Sequence, residues 1–471
     1  MEEDQDYNID RINELVDEFK KHADRGDLGF YDSEDLEYIV EELIARFDFP
    51  YATEAVELGM SLYPDSFDFC ILNAKKLIME MELERAVEAL DAIERDFPPY
   101  AEFYLEKAFY CKMSGQGDEA LPLLRKAYEL EPDDPEINFM LGGEYVKAQQ
   151  FERAYRHISY AMREDDLMED QLFTVSYIFE DEHTYDQAVW FFKRLTEEFP
   201  LSKNGWFALG LAYSWIKDGP NAMEAYQNTI SLDEEASTAY FNIGNIHFEA
   251  GDYVKALEYY EKTFQLDDRD YHALTGMGDC YFEMYIYKDA IEKYQAALEI
   301  EPNDMDAIMG IITCLKETGR SDEAEAFIQK SFSLSPQSFE LLFNVLPFYD
   351  DAEQIKKLKE LFQLTIKQID DKEGFLKFFT SYCAGNKELS QMGISLLEEF
   401  LDDPDVAMVL PYLLAALHYV CGHVAEGNNY LRNALTINYE EREMFLAISP
   451  SFEANPVIMN MIDAYGGSLP L

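Results

Sequence analysis

The sequence predicts an all-α protein built as a solenoid of helix pairs, and three periodic observations carry that prediction. Alanine recurs every 34 residues at Ala52, Ala86, Ala120, Ala154, Ala188, Ala222, Ala256, Ala290 and Ala324. Glycine precedes the alanine by a constant step at Gly142, Gly210, Gly244 and Gly278, with Ala74, Ala108 and Ser176 in the same slot of other units. Aromatic rings follow it at Phe192, Tyr226, Tyr260 and Tyr294, and proline closes the unit at Pro64, Pro98, Pro132, Pro200, Pro302 and Pro336. Small residues let two antiparallel helices approach where a larger side chain would overpack, and rings fill the gaps beside those contacts. Proline fits between helices because it cannot continue the hydrogen-bond ladder. No such unit buries its apolar faces alone, so stability must come from neighbours along the stack.

The elements follow in order. Residues 1–32 hold an N-terminal capping helix, Asp10 to Arg25, with Ile12, Leu15, Val16 and Phe19 on its apolar face. Residues 33–338 are nine contiguous units without an insertion. The clearest read Trp206, Leu209, Gly210, Tyr213, Ala222, Tyr226 and then Leu274, Gly278, Tyr281, Ala290, Tyr294, Ala297, Pro302. This pattern resembles the tetratricopeptide repeat, and the chain is similar to the bacterial type of multi-repeat member. The resemblance implies a right-handed superhelical solenoid of about twelve units, capped at both ends. Residues 339–372 form a divergent unit with Leu358 in the alanine slot, and Pro347 in its first helix marks a candidate bend. After a slip at Glu373, two weaker units occupy 374–407 and 408–441, the second marked by Gly422, Gly427, Leu431 and Ala434. Residues 442–471 are expected to cap the other end with one or two short helices.

Composition narrows the function classes. Of 471 residues, 48% are hydrophobic and 14% aromatic, ample for a core. The formal charge of −56 disfavours nucleic acid and anionic membranes and favours Lys/Arg-rich partners. It also keeps a long apolar stack soluble. The start, Met-Glu-Glu-Asp-Gln-Asp, carries no signal-peptide pattern. The apolar stretch Val406 to Cys421 holds Pro411 and His418, and reads as a buried helix rather than a membrane span. The six cysteines form no CxxC pair, which fits a reducing, cytoplasmic compartment.

Catalytic signatures are absent: no phosphate loop, no GxSxG elbow, no HExxH. His418, Cys421 and His423 are the one soft-ligand cluster, and His418 takes a slot filled elsewhere by Tyr213 and Tyr281. Cys280, Cys314 and Cys383 share one repeat slot, which reads as packing rather than nucleophile. The expectation is a non-enzyme with no metal and no cofactor.

What remains is a binding surface. In each first helix, slots two, five, nine and twelve of the repeat lie on a stripe distinct from the face that meets the partner helix. The family resemblance implies that this stripe lines a concave groove that holds peptides. Slot five is phenylalanine at Phe139, Phe173, Phe207 and Phe241, with Tyr177, Phe248 and Phe282 nearby on the stripe. An open aromatic row reads as a recognition surface, whereas tight curvature would let the rings pack against the next repeat. Slot two is acidic at Glu34, Asp68, Glu102, Glu136, Asp170 and Asp306, although first-turn acids also complement the helix dipole. If both ladders face the groove, the ligand is a basic polypeptide segment with apolar or aromatic anchors. The family's carboxylate clamp of Lys, Asn and Arg is not matched. Asn242 and Asn245 resemble its Asn elements, but neighbouring slots hold Phe207, Leu211, Thr275 and Asp279. The expected function is a protein-interaction scaffold or adaptor. The alternatives are an acidic chaperone or sequestering factor for a basic client, and an enzyme with an unrecognised site. Self-association through the groove or an end is a further option.

Overall fold

A computed structural model describes residues 2–26, 29–334, 341, 344–348, 352–367 and 369–466. It is an all-α repeat solenoid in which consecutive helices pack as antiparallel pairs. The chain divides into two compact units, Met1–Asn242 and Ile243–Leu471.

In the first unit, α1 (Glu2–Ala23) leads into pairs of near-constant length. These are α2 (Ser33–Ala45) with α3 (Phe49–Leu62), α4 (Phe67–Met79) with α5 (Leu83–Asp96), and α6 (Ala101–Met113) with α7 (Ala120–Leu130). They continue as α8 (Pro135–Lys147) with α9 (Phe151–Glu164), α10 (Leu172–Asp181) with α11 (Tyr185–Glu198), and α12 (Lys203–Trp215) with α13 (Gly219–Leu232). Helix α1 starts eight residues before the expected Asp10. Its Val16 and Phe19 are fully buried against α2 and α3. Some first helices are capped by the residue that closes the preceding repeat. Asp134 Oδ1 accepts from Ile137 N at 2.8 Å, and Ser202 Oγ accepts from Gly205 N at 2.9 Å.

The turn inside each pair has a fixed device. The fifteenth residue of each of nine successive repeats adopts a left-handed backbone, with φ between 53° and 78°, from Phe47 through Met81 and Gly115 to Gly319. Only three of these nine are glycine: Gly115, Gly251 and Gly319. The other six, among them Lys217 at φ 60° and Tyr285 at φ 61°, hold a conformation that costs an L-residue about 1 kcal/mol.

The periodic small residues sit where the helices touch. All nine repeat alanines, Ala52 to Ala324, are 0% exposed. A Cβ on Gly210 would stand 2.4 Å from the Tyr226 ring. In the second unit, one on Gly278 would stand 2.5 Å from Tyr294, and one on Gly310 would meet the other edge of the same ring at 2.4 Å. Tyr294 is thus held between the backbones of two repeats, which explains why glycine and a ring recur together.

The second unit takes in most of α14 (Ser237–Glu249). It continues through α15 (Tyr253–Leu266), α16 (Tyr271–Glu283), α17 (Tyr287–Ile300), α18 (Met305–Glu317) and α19 (Ser321–Leu334). After it come α20 (Ala352–Thr365), α21 (Lys372–Cys383), α22 (Lys387–Leu397), α23 (Leu410–Cys421) and α24 (Val424–Ile437). Much of the first helix expected in the divergent unit lies outside the described residues; Pro347 falls in a 3₁₀ turn, Leu346–Phe348. Helix α23 is buried at every residue from Leu410 to His418. Among the described residues, three short helices follow, α25 (Arg442–Ile448), α26 (Pro450–Glu453) and α27 (Pro456–Gly466). Pro450 and Pro456 each restart the helix after a break.

Candidate functional site

The aromatic row of slot five is buried at two positions and half-buried at Phe173 and Phe241. Phe139 is 3% exposed and Phe207 is 8% exposed. The rings of Phe173 and Phe207 meet edge to face at 5.5 Å, and Phe207 meets Tyr226 at 5.5 Å. Where α10 meets α12, slot five of one repeat lies against slot five of the next. Phe241 is half-buried, Phe248 packs on Tyr253 at 5.4 Å, and Phe282 packs on Tyr287 at 5.7 Å. Asn242 donates to the Thr238 carbonyl at 2.9 Å, and Asn245 Oδ1 accepts from the Tyr260 hydroxyl at 2.7 Å. Asn245, Phe248 and Phe282 thus join the two helices of their own repeats, and Asn242 bonds within its own helix. Tyr177, 62% exposed on α10, is the most exposed ring of the row.

The acidic ladder behaves differently. Asp68, Glu102 and Glu136, from α4, α6 and α8, converge on one cavity of about 420 Å³. Glu34 is exposed on α2 outside it, Asp170 accepts from the Asn204 amide at 3.1 Å, and Asp306 lies on α18 in the second unit. Two groups from slot nine join the cavity: Glu41 from α2 and Lys75 from α4. Glu131 and Asp134 close the side where α8 begins. Glu106 forms the floor. It is 6% exposed, and its Oε2 has no hydrogen-bond partner among the described residues. Lys75 Nζ stands 3.9 Å from Glu106 Oε1, the limit of an ion pair.

Seven carboxylates and one ammonium therefore line this cavity among the described residues. Burial, reinforced by Glu136 and Glu102, pushes the Glu106 carboxyl up to about 7 against the pull of Lys75. Burial and the charges of Asp68, Glu41 and Glu136 likewise raise Glu102 to about 7. Lys75 is raised despite its own desolvation, because Glu106, Glu136, Glu41 and Glu102 surround it.

A second cavity, about 300 Å³, continues from the first and shares Lys75, Leu105, Glu106 and Glu136 with it. Its walls are mostly apolar, with Met79, Phe109, Phe139, Met140 and Ile178, and Gln171 and Thr174 on the α10 side. Lys112 flanks it and is held 3.4 Å from the buried Glu144, which Lys147 also approaches to 3.3 Å. An acidic basin thus runs into an apolar trough along α4, α6, α8 and α10.

The other candidate chemistry is packing. Cys280, Cys314 and Cys383 are fully buried, and burial pushes the Cys280 thiol up to about 12 and that of Cys314 to about 11. His418 is buried against Tyr430, with Nδ1 3.4 Å from that of His423, and burial lowers its pKa. No group of three or more His, Cys, Asp or Glu among the described residues is placed to hold a metal ion.

Repeated helix pairs with a lined trough on their first helices define a helical-repeat scaffold for protein–protein interaction. The tetratricopeptide repeat family model matches residues 237–270, and a second model of the same repeat matches 113–166 and 287–340. The chain contains tetratricopeptide repeats over these matched segments. Among solved structures, that of MamA is similar at 22% identity, covering 33% of this chain and 91% of MamA, with a TM-score of 0.31. The C-terminal part of a tetratricopeptide repeat-containing protein from Cytophaga hutchinsonii is similar at 16% identity, covering 51% of this chain and 99% of that one, with a TM-score of 0.37. No curated protein shows significant sequence similarity. No helix among the described residues is long and apolar enough to cross a membrane.

Proposed function

We propose that this protein is a non-catalytic scaffold that captures a basic polypeptide segment along α4, α6, α8 and α10 of its first unit. The observation that carries this reading is the continuity of the acidic cavity with the apolar one through Lys75, Leu105, Glu106 and Glu136. Charge complementarity selects a cationic segment, and the trough beyond rewards an apolar side chain. Of the residues expected to form the groove, Asp68, Glu102, Glu136 and Phe139 belong to this surface, and Tyr177 is free to extend it. The Phe173 and Phe207 pair supports the stack instead. All six cysteines are free thiols, which accords with a cytoplasmic protein.

The test is fluorescence polarisation of the full chain with labelled degenerate nonapeptide pools that are basic, neutral or acidic. The basic pool should bind, and Phe109→Asp, which places a charge in the trough, should remove that binding. Equal binding of all pools would end the proposal. The net charge of −56 favours a second reading, a sequestering factor held to a basic client by bulk acidity. Raising salt from 50 to 500 mM, about a threefold shorter Debye length, would abolish that complex but only weaken one with an apolar anchor.

A further inference from the structure

We infer that the acidic cavity is a receptor for a single arginine side chain of the bound segment, with Glu106 as the acceptor at its floor. This rests on the groove reading above and names what enters its polar end. An acidic cluster alone would be no more than a solvated surface. What distinguishes this one is a carboxylate that is 6% exposed, lines both cavities, and leaves Oε2 without a hydrogen bond. A buried charged acceptor in that state is costly unless a donor reaches it.

The resident cation does not meet that need. Lys75 approaches Oε1 rather than Oε2, at 3.9 Å, too long for a hydrogen bond. Its side chain is 40% exposed, so it stands at the wall and not on the floor. A cavity of about 420 Å³ has room for a whole incoming side chain. A guanidinium carries five donors in a planar fork, so one group can serve Oε2 and also the rim carboxylates Glu102 and Glu136. An ammonium is a point charge with a tighter hydration shell, and it leaves more of those acceptors unserved.

The adjoining trough sets the register. In an extended segment, side chains two residues apart point the same way, roughly 7 Å apart. An arginine on Glu106 therefore directs the side chain two positions away toward Leu105, Phe109 and Phe139. The recognised element is an arginine with an apolar residue two positions from it.

Protons compete with the arginine. The groups facing Glu106 are Glu41 from α2, Asp68 and Lys75 from α4, Glu102 on its own helix, and Glu136 from α8, with Glu131 and Asp134 beside it. With Glu106 near 7, the ionised fraction rises about tenfold between pH 6 and pH 8, and binding should strengthen by a similar factor.

The experiment uses the full chain and nonapeptide pools fixed at the centre as arginine, lysine or citrulline, with leucine two positions on, read at pH 6 and pH 8. The arginine pool should bind at least about tenfold tighter than the citrulline pool and lose most of that advantage at pH 6. Glu106→Gln, checked for helix content, should bring the arginine pool down to the citrulline level, whereas Phe109→Asp should weaken all three pools. If Glu106→Gln leaves the arginine preference intact while Phe109→Asp abolishes binding, the arginine receptor is refuted and the groove survives. If neither variant matters, the groove falls as well. An arginine preference that does not change with pH would overturn the role of Glu106, and equal binding of lysine would overturn the guanidinium assignment.

Discussion

Replacing Glu106 with glutamine should make the protein more stable, and only near and above neutral pH. The carboxyl is held at about 7 in the folded chain against an ordinary value of 4.5, because burial and its acidic neighbours outweigh Lys75. The folded state therefore binds this proton more tightly than the unfolded state. The associated stability is fully present below about pH 4.5, is lost as pH rises through about 7, and stays lost above it. At about 1.4 kcal/mol per pKa unit, the cost of ionising Glu106 in place reaches about 3 kcal/mol at pH 8 and under about 1 kcal/mol at pH 5. Glutamine keeps the shape and removes the titration. Urea unfolding followed by circular dichroism should place Glu106→Gln about 2 to 3 kcal/mol above wild type at pH 8 and within about 1 kcal/mol at pH 5. A repeat array can unfold in parts, so hydrogen exchange of the α6 amides should show the same gain locally. A variant weaker than wild type at pH 8, or a gain equal at both pH values, would refute the argument, because Lys75 would then satisfy the carboxylate outright.

Three further predictions concern the stack. Lys217→Gly should stabilise by roughly 0.5 to 1 kcal/mol, because glycine relieves the left-handed backbone at an exposed turn and the gain outweighs its entropy; thermal denaturation reads this. Gly278→Ala should destabilise by about 1 to 3 kcal/mol, since its Cβ would stand 2.5 Å from the captive Tyr294 ring, and a neutral result would mean that the ring can shift. Phe207→Ala should cost about 3 kcal/mol or more, while Tyr177→Ala should leave denaturant unfolding within about 0.5 kcal/mol. Equal effects of the last two would show that burial does not separate these rings.

Much of the fold was legible because its determinants are local and repeated. The step of 34 residues, the alanines at helix contacts and the glycine–ring pairing follow from sequence alone, and each has a partner in space such as Gly278 with Tyr294. The left-handed turn at the fifteenth residue was not legible. Six of nine occupants carry a side chain, so the glycine signal is diluted. Slot two pointed to Asp68, Glu102 and Glu136. Glu41 and Lys75 lie seven residues on from slot two in their own helices, on the same stripe, and could have been added by that spacing. Glu106 could not, because it sits in slot six, off the stripe, and nothing in its sequence marks it as buried.

The sequence by itself determined the helix pairing, the order of the units, the acidic character and the lack of catalytic signatures. These depend on periodicity and residue type, which need no knowledge of distance. The tertiary structure decided which face of the first helices is open. It packed part of the phenylalanine row, since stacking brings Phe173 and Phe207 within 5.5 Å, and it opened a basin spanning repeats one to four where acids from different helices meet. Burial and mutual repulsion are properties of neighbours in space, so only the packed helices could turn one glutamate among many into the floor of a site.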